Sequence, residues 1–82
     1  MKTKENNNQP ETDPRVLKIA AKIKKLRIEA GYSSYEKFAF DNDLPRVGYG
    51  KHEKGANITI ASILRIIDIH KISLEEFFKD IG

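Results

Sequence analysis

The 82-residue sequence predicts an all-α fold, a compact bundle of five short helices. Three observations lead there. Apolar residues recur at spacings of three and four with no sustained two-residue alternation; capping and stop residues punctuate the chain at each helix end; and the connections between helices are short. One domain over residues 14–82 is expected, preceded by a flexible N-terminal tail over residues 1–13. The tail is polar and asparagine-rich, so it has almost nothing to bury against the entropy lost on ordering.

Helix one opens with Asp13 as cap and Pro14 in the first helical position, where a missing N–H costs nothing. Val16, Ile19, Ala20, Ile23, Leu26 and Ala30 form its apolar stripe, and Gly31 stops it. Helix two begins at Ser33 or Ser34 and runs to about Asn42, with Phe38 and Ala39 facing inward. Ser33 with Glu36 spells a capping box, and Ser34 caps equally well one residue later. Asp41-Asn42-Asp43 favours a tight turn. A third helix follows from Pro45 to Lys54, with Tyr49, His52 and Glu53 inward and Arg46, Val47, Gly50 and Lys51 outward. Gly55 closes it. Thr59 caps a fourth helix whose apolar residues Ile60, Ile63, Leu64, Ile66 and Ile67 are broad enough to be mostly buried. Ser73 and Glu76 make a capping box for the fifth, with Ile72 and Phe77 as a hydrophobic staple and Phe78 and Ile81 extending the apolar face.

Composition narrows the function. The chain has no cysteine, which excludes disulfides and thiolate metal sites, and His52 and His70 stand apart from other ligand types. No metal site and no cofactor are expected. No apolar run approaches the roughly 20 residues of a membrane span, and the first residues lack a secretory hydrophobic stretch; a cytoplasmic protein without membrane partners is the expectation. The net charge of +3 is unevenly placed, because residues 14–54 hold ten Lys or Arg against five Asp or Glu. Such a concentration attracts polyanions. There is no nucleophile motif, no phosphate-cradling glycine loop and no paired metal ligands; Glu75 and Glu76 are explained as acids at a helix start. The sequence therefore predicts neither an enzyme nor a small-molecule substrate.

Two short helices joined by a tight turn can place one helix in the major groove of B-DNA while the other braces it. The stretch GYSSYEKFAFDNDLPRVGYGKHEKG, with Leu26-Arg27 before it and ITIASILRIIDIHKISLEEFF after it, resembles the helix-turn-helix of the phage-repressor and Cro-like family. The likeness runs from helix one to the carboxyl end and leaves out only the first 13 residues. It implies a lambda-repressor-like bundle in which helices two and three form the helix-turn-helix, and a transcriptional regulator that binds double-stranded DNA with sequence specificity. Arg46, Val47 and Lys51 match positions that face base edges. Arg46 can give two hydrogen bonds to guanine, Val47 can touch a thymine methyl, and Lys51 can reach guanine or phosphate. Tyr35 matches a backbone-contacting position where the family often has glutamine, and Ser34, Lys37, Lys54 and Asn57 are further candidates for phosphate contacts. Arg27 and Glu53 match an ion pair between helix one and the end of helix three. Homodimers on paired half-sites are common in the family, with Ile69, Phe78 and Ile81 available either for such an interface or for the monomer core.

The sequence departs from this pattern at five positions. Gly48 and Gly50 fall within helix three, where each costs up to about 1 kcal/mol relative to alanine. They support a second reading, a docking or antitoxin-like protein-interaction module that keeps the fold without reading bases; a Gly48→Ala/Gly50→Ala variant is expected to be more stable. His52 and His70 occupy inward positions that are usually apolar, and read as satisfied, partly buried histidines or as pH sensors. Lys71 stands where glycine is common, which predicts a less tightly turned end to helix four.

Overall fold

A computed structural model describes residues 13–81. Residues 1–12, which carry nearly all of the expected tail, and Gly82 lie outside the described residues. Five helices run in order along the chain: α1 (Pro14–Glu29), α2 (Tyr35–Asp41), α3 (Arg46–Glu53), α4 (Ile60–His70) and α5 (Leu74–Phe78). The described residues contain no strand.

Local chemistry sets the boundaries. The Asp13 carboxylate accepts from the Arg15 amide at 2.8 Å and pairs with the Arg15 guanidinium at 2.7 Å, and these hydrogen bonds hold its pKa down to about 2. Ser34, not Ser33, caps α2 by accepting from the Lys37 amide at 3.2 Å. Thr59 caps α4 and Ser73 caps α5 in the same way, through the amides of Ser62 and Glu76. Pro45 lies just before α3 and not within it, and offers no side-chain cap. Gly31 ends α1 in the left-handed region (φ 96°). Lys71 takes that same backbone conformation (φ 57°) after α4, and the Ile72 amide reaches back to the Ile67 carbonyl. The end of α4 is therefore tightly turned without glycine, which corrects the looser end expected of a lysine.

The core is built around Phe38. Its ring lies 5.2 Å from Tyr32 edge-on, 5.2 Å from Tyr49, and 5.3 Å from the stacked imidazole of His70, so one side chain ties together the α1–α2 loop, α3 and α4. Ile23, Ala39, Ile63, Ile66, Ile67, Phe77 and Ile81 complete the buried cluster. Each large side chain there contributes about 1.5–3 kcal/mol through burial. Ile69 and Phe78 pack against the cluster, so with Ile81 they serve the monomer core.

Four inward or outward assignments differ from expectation. Ala30 is the exposed C-cap of α1 and not part of its inner stripe. Ile60 and Leu64 are exposed, because α4 turns only the Ile63, Ile66 and Ile67 face into the bundle. Gly50, expected outward, is buried.

Candidate functional site

α3 is eight residues long, too short to persist alone, so its position depends on what grips it. Three successive anchors do so. Tyr49 is buried against Phe38. Gly50 lies under the Tyr35 ring: a Cβ there would sit 2.6 Å from Tyr35 Cε1. At the helix end Glu53 accepts two hydrogen bonds from Arg27, at 3.1 Å from Nε and 2.8 Å from Nη2, while Arg27 Nη1 donates to the Tyr32 carbonyl at 2.9 Å. Both side chains of this pair are nearly inaccessible, at 6% and 5% exposure. The bond to Glu53 raises the pKa of Arg27 further. Burial, reinforced by Glu53, pushes the Tyr49 phenol well above its ordinary range, so the hydroxyl beside the pair stays protonated. Gly55, in the left-handed region (φ 100°), closes the far end against Leu17 of α1.

The turn before α3 is equally constrained. Asp43 adopts a left-handed conformation (φ 58°), the Leu44 amide donates to the Ala39 carbonyl at 2.8 Å, and the Asn42 side-chain amide donates to the Phe38 carbonyl at 2.9 Å. From α4, Arg65 Nη2 donates to the Asp43 carbonyl at 2.8 Å. Sequence reasoning missed this clamp, and the available signal was Arg65 standing as the lone Lys or Arg of α4.

With one side of α3 gripped, Arg46, Val47 and Lys51 stand exposed on the other. Among the described residues none of them has an ion pair. The five positions expected at phosphates flank this face in sequence. Ser34 and Tyr35 lie at the start of α2 and are half-buried, the Ser34 oxygen being engaged as a cap and the Tyr35 ring resting on Gly50. Lys54 comes directly after α3 and holds its ammonium 5.8 Å from the Tyr35 ring centroid, a weak cation–π contact. Asn57 is exposed in the α3–α4 loop. Lys37 is exposed but committed locally: it pairs with Asp41 at 3.2 Å, and Asp41 also accepts from the Tyr32 hydroxyl at 2.9 Å. The Tyr32 bond first, then Lys37, lowers the Asp41 pKa. Phe40, 79% exposed on α2, is an apolar surface residue that periodicity did not flag.

The two histidines are partly buried, and burial lowers the pKa of each. His70 Nε2 is buried without a hydrogen-bond partner, so the expectation of a satisfied histidine does not hold there. The described residues include no group of three His, Asp or Glu able to hold a metal ion, and no helix long and apolar enough to cross a membrane. Comparison of the chain with protein-family models, with curated proteins and with solved structures finds no match.

Proposed function

We propose that this protein binds double-stranded DNA with sequence specificity and regulates transcription, in a lambda-repressor-like arrangement where α2 and α3 act as a helix-turn-helix and α3 enters the major groove. The observation that carries the reading is the two-sidedness of α3: Tyr49, Gly50 and Glu53 are held by the bundle while Arg46, Val47 and Lys51 are presented to solvent. A reading helix needs both properties, since base-edge hydrogen bonds require donors held in register and left unspent by the protein itself.

The first two residues of α3, Arg46 and Val47, occupy the end of a recognition helix that meets base edges in helix-turn-helix complexes. Ser34, Tyr35, Lys37, Lys54 and Asn57 then supply contacts to the sugar-phosphate backbone, which fix register and affinity. Lys37 exchanges its Asp41 contact for phosphate in this scheme. A homodimer on two half-sites about one helical turn apart is the form implied, and two-fold symmetry in selected sites is its signature.

The rival docking reading leaned on both glycines of α3. Gly50 has a packing reason to be glycine, and this removes half of that support. Selection from random duplex DNA, followed by affinity measurements across salt concentration, tests the proposal. A recovered site bound with an affinity that falls steeply with salt is expected; weak, salt-insensitive binding with no preferred sequence would retire it.

A further inference from the structure

Gly48 differs from Gly31, Gly50 and Gly55 because nothing in its surroundings demands a glycine. Its φ is not positive, and an added Cβ would meet only Pro45 Cβ, at an ordinary 3.6 Å. A glycine inside a helix nonetheless carries a penalty of up to about 1 kcal/mol. What its missing side chain does accomplish is visible on the α4 side. Gly48 forms part of the wall of a pocket of about 210 Å³ between α3, the turn before it and α4. Pro45, Gly48, Tyr49 and His52, spaced three and four apart, present one stripe of α3 to this space.

The lining is mostly apolar, through Leu44, Tyr49 and Ile66, with three polar groups placed among it: His52, Ser62 and Arg65. Among the described residues no acid lines the pocket. Arg65 spends Nη2 on the turn carbonyls, and among the described residues its other guanidinium donors have no partner. Ser62 Oγ accepts from Thr59 at 3.1 Å, which leaves its own hydroxyl hydrogen to donate. His52 is neutral near pH 7, since burial lowers its pKa, so its ring adds one N–H donor without a second charge. An apolar cleft lined by a few donors and one cation, with no acid among the described residues, suits an anion carrying an apolar body. The volume lies below the roughly 300–1,000 Å³ of drug-sized sites, which restricts the occupant to a small metabolite.

We propose that the α3–α4 pocket is a binding site for a small apolar monocarboxylate, with the carboxylate held by Arg65 and Ser62 and the hydrocarbon part against Leu44, Ile66 and the bare backbone of Gly48. The site stands on the fold alone and goes beyond the DNA reading. Because its walls include α3 and the α2–α3 turn, an occupant braces the same helix from behind.

The test uses the full chain without DNA, so its outcome is separate from that of DNA binding. Isobutyrate, benzoate and the neutral benzyl alcohol are titrated into ¹⁵N-labelled protein and amide shifts are monitored. At least one carboxylate is expected to give saturable shifts centred on Gly48, His52, Ser62 and Ile66, with benzyl alcohol binding more weakly. Gly48→Leu, which fills the space with a better helix former, is expected to abolish these shifts while the amide spectrum stays dispersed. Arg65→Met is expected to weaken carboxylate binding by about tenfold, the loss of a charge-assisted hydrogen bond. Absence of saturable shifts with both acids, shifts that persist in a folded Gly48→Leu variant, or equal binding of benzoate and benzyl alcohol would each overturn the proposal.

Discussion

Gly48 and Gly50 are two residues apart in α3 yet answer to different constraints. An alanine at 48 has room, so Gly48→Ala is expected to raise stability by up to about 1 kcal/mol in chemical denaturation. An alanine at 50 meets three atoms of the Tyr35 ring, the nearest at 2.6 Å, and must displace it. Gly50→Ala is therefore expected to lose most or all of the helix-propensity gain, and to recover it when Tyr35→Ala is added. Equal stabilisation by the two single alanine variants would show that the ring yields freely. The double glycine replacement expected from sequence to be simply stabilising thus divides into two opposing effects. Histidine titration is also argued residue by residue. His52 and His70 have folded pKa values lowered by burial from an ordinary 6.5. As pH falls through about 6.5 the unfolded imidazoles take up protons that the folded ones refuse, so stability present above that pH is lost on acidification. The lowered carboxyls of Asp13 and Asp41 also lose their contribution on acidification, but in a separate window below their ordinary 3.8, and so do not obscure the effect. Denaturation midpoints measured from about pH 7.5 to pH 5 should decline, and His70→Leu should flatten the decline; an unchanged slope would mean that His70 is protonated equally in both states.

The Arg27–Glu53 pair is the link between elements that sets the pose of α3, since it joins the last turn of α1 to the last turn of α3 and, through Tyr32, the loop before α2. Removing the guanidinium leaves a carboxylate at 5% exposure with no cation. Arg27→Ala is expected to cost about 3–5 kcal/mol in unfolding free energy, whereas a paired Arg27→Met/Glu53→Leu replacement should cost far less, because the penalty comes from a stranded charge more than from a lost bond. Thermal unfolding that does not distinguish the two variants would contradict this. What was legible in the sequence was local. Asp13, Pro14, Thr59 and Ser73 mark helix starts because a cap depends only on the next two or three amides, and Tyr49 shows its inward side through spacing alone. Features that depend on a second element were not legible. Periodicity cannot say that Ile60 and Leu64 of α4 stay exposed, that the Tyr35 ring fills the place of a side chain at Gly50, or that Arg65 reaches across to the turn at Asp43. Lys71 shows the same effect in the backbone, since its left-handed turn is closed by the bond from the Ile72 amide to the Ile67 carbonyl and not by residue preference.

For the molecule as a whole, the proposed DNA interface divides its exposed groups into those that read and those that hold. The pair formed by Arg27 and Glu53 is internal, so it adds no net field, and Lys37 is partly neutralised by Asp41; the cations left around α3 are Arg46, Lys51 and Lys54. Their effects should separate by sequence and by salt. Arg46→Ala is expected to weaken binding to a selected site by about 1–3 kcal/mol while relaxing preference at the base pair it contacts, and to alter binding to random duplex much less. Lys54→Ala, at a backbone position, should weaken selected and random duplex alike and reduce the slope of log affinity against log salt by about one, the signature of a single released counterion. Both residues are exposed and outside the core, so neither variant should shift the unfolding midpoint appreciably, and a loss of affinity cannot then be ascribed to a loss of fold. If the two substitutions instead weaken both duplexes equally, α3 acts as a nonspecific basic patch, and sequence discrimination has to be sought away from its outer face.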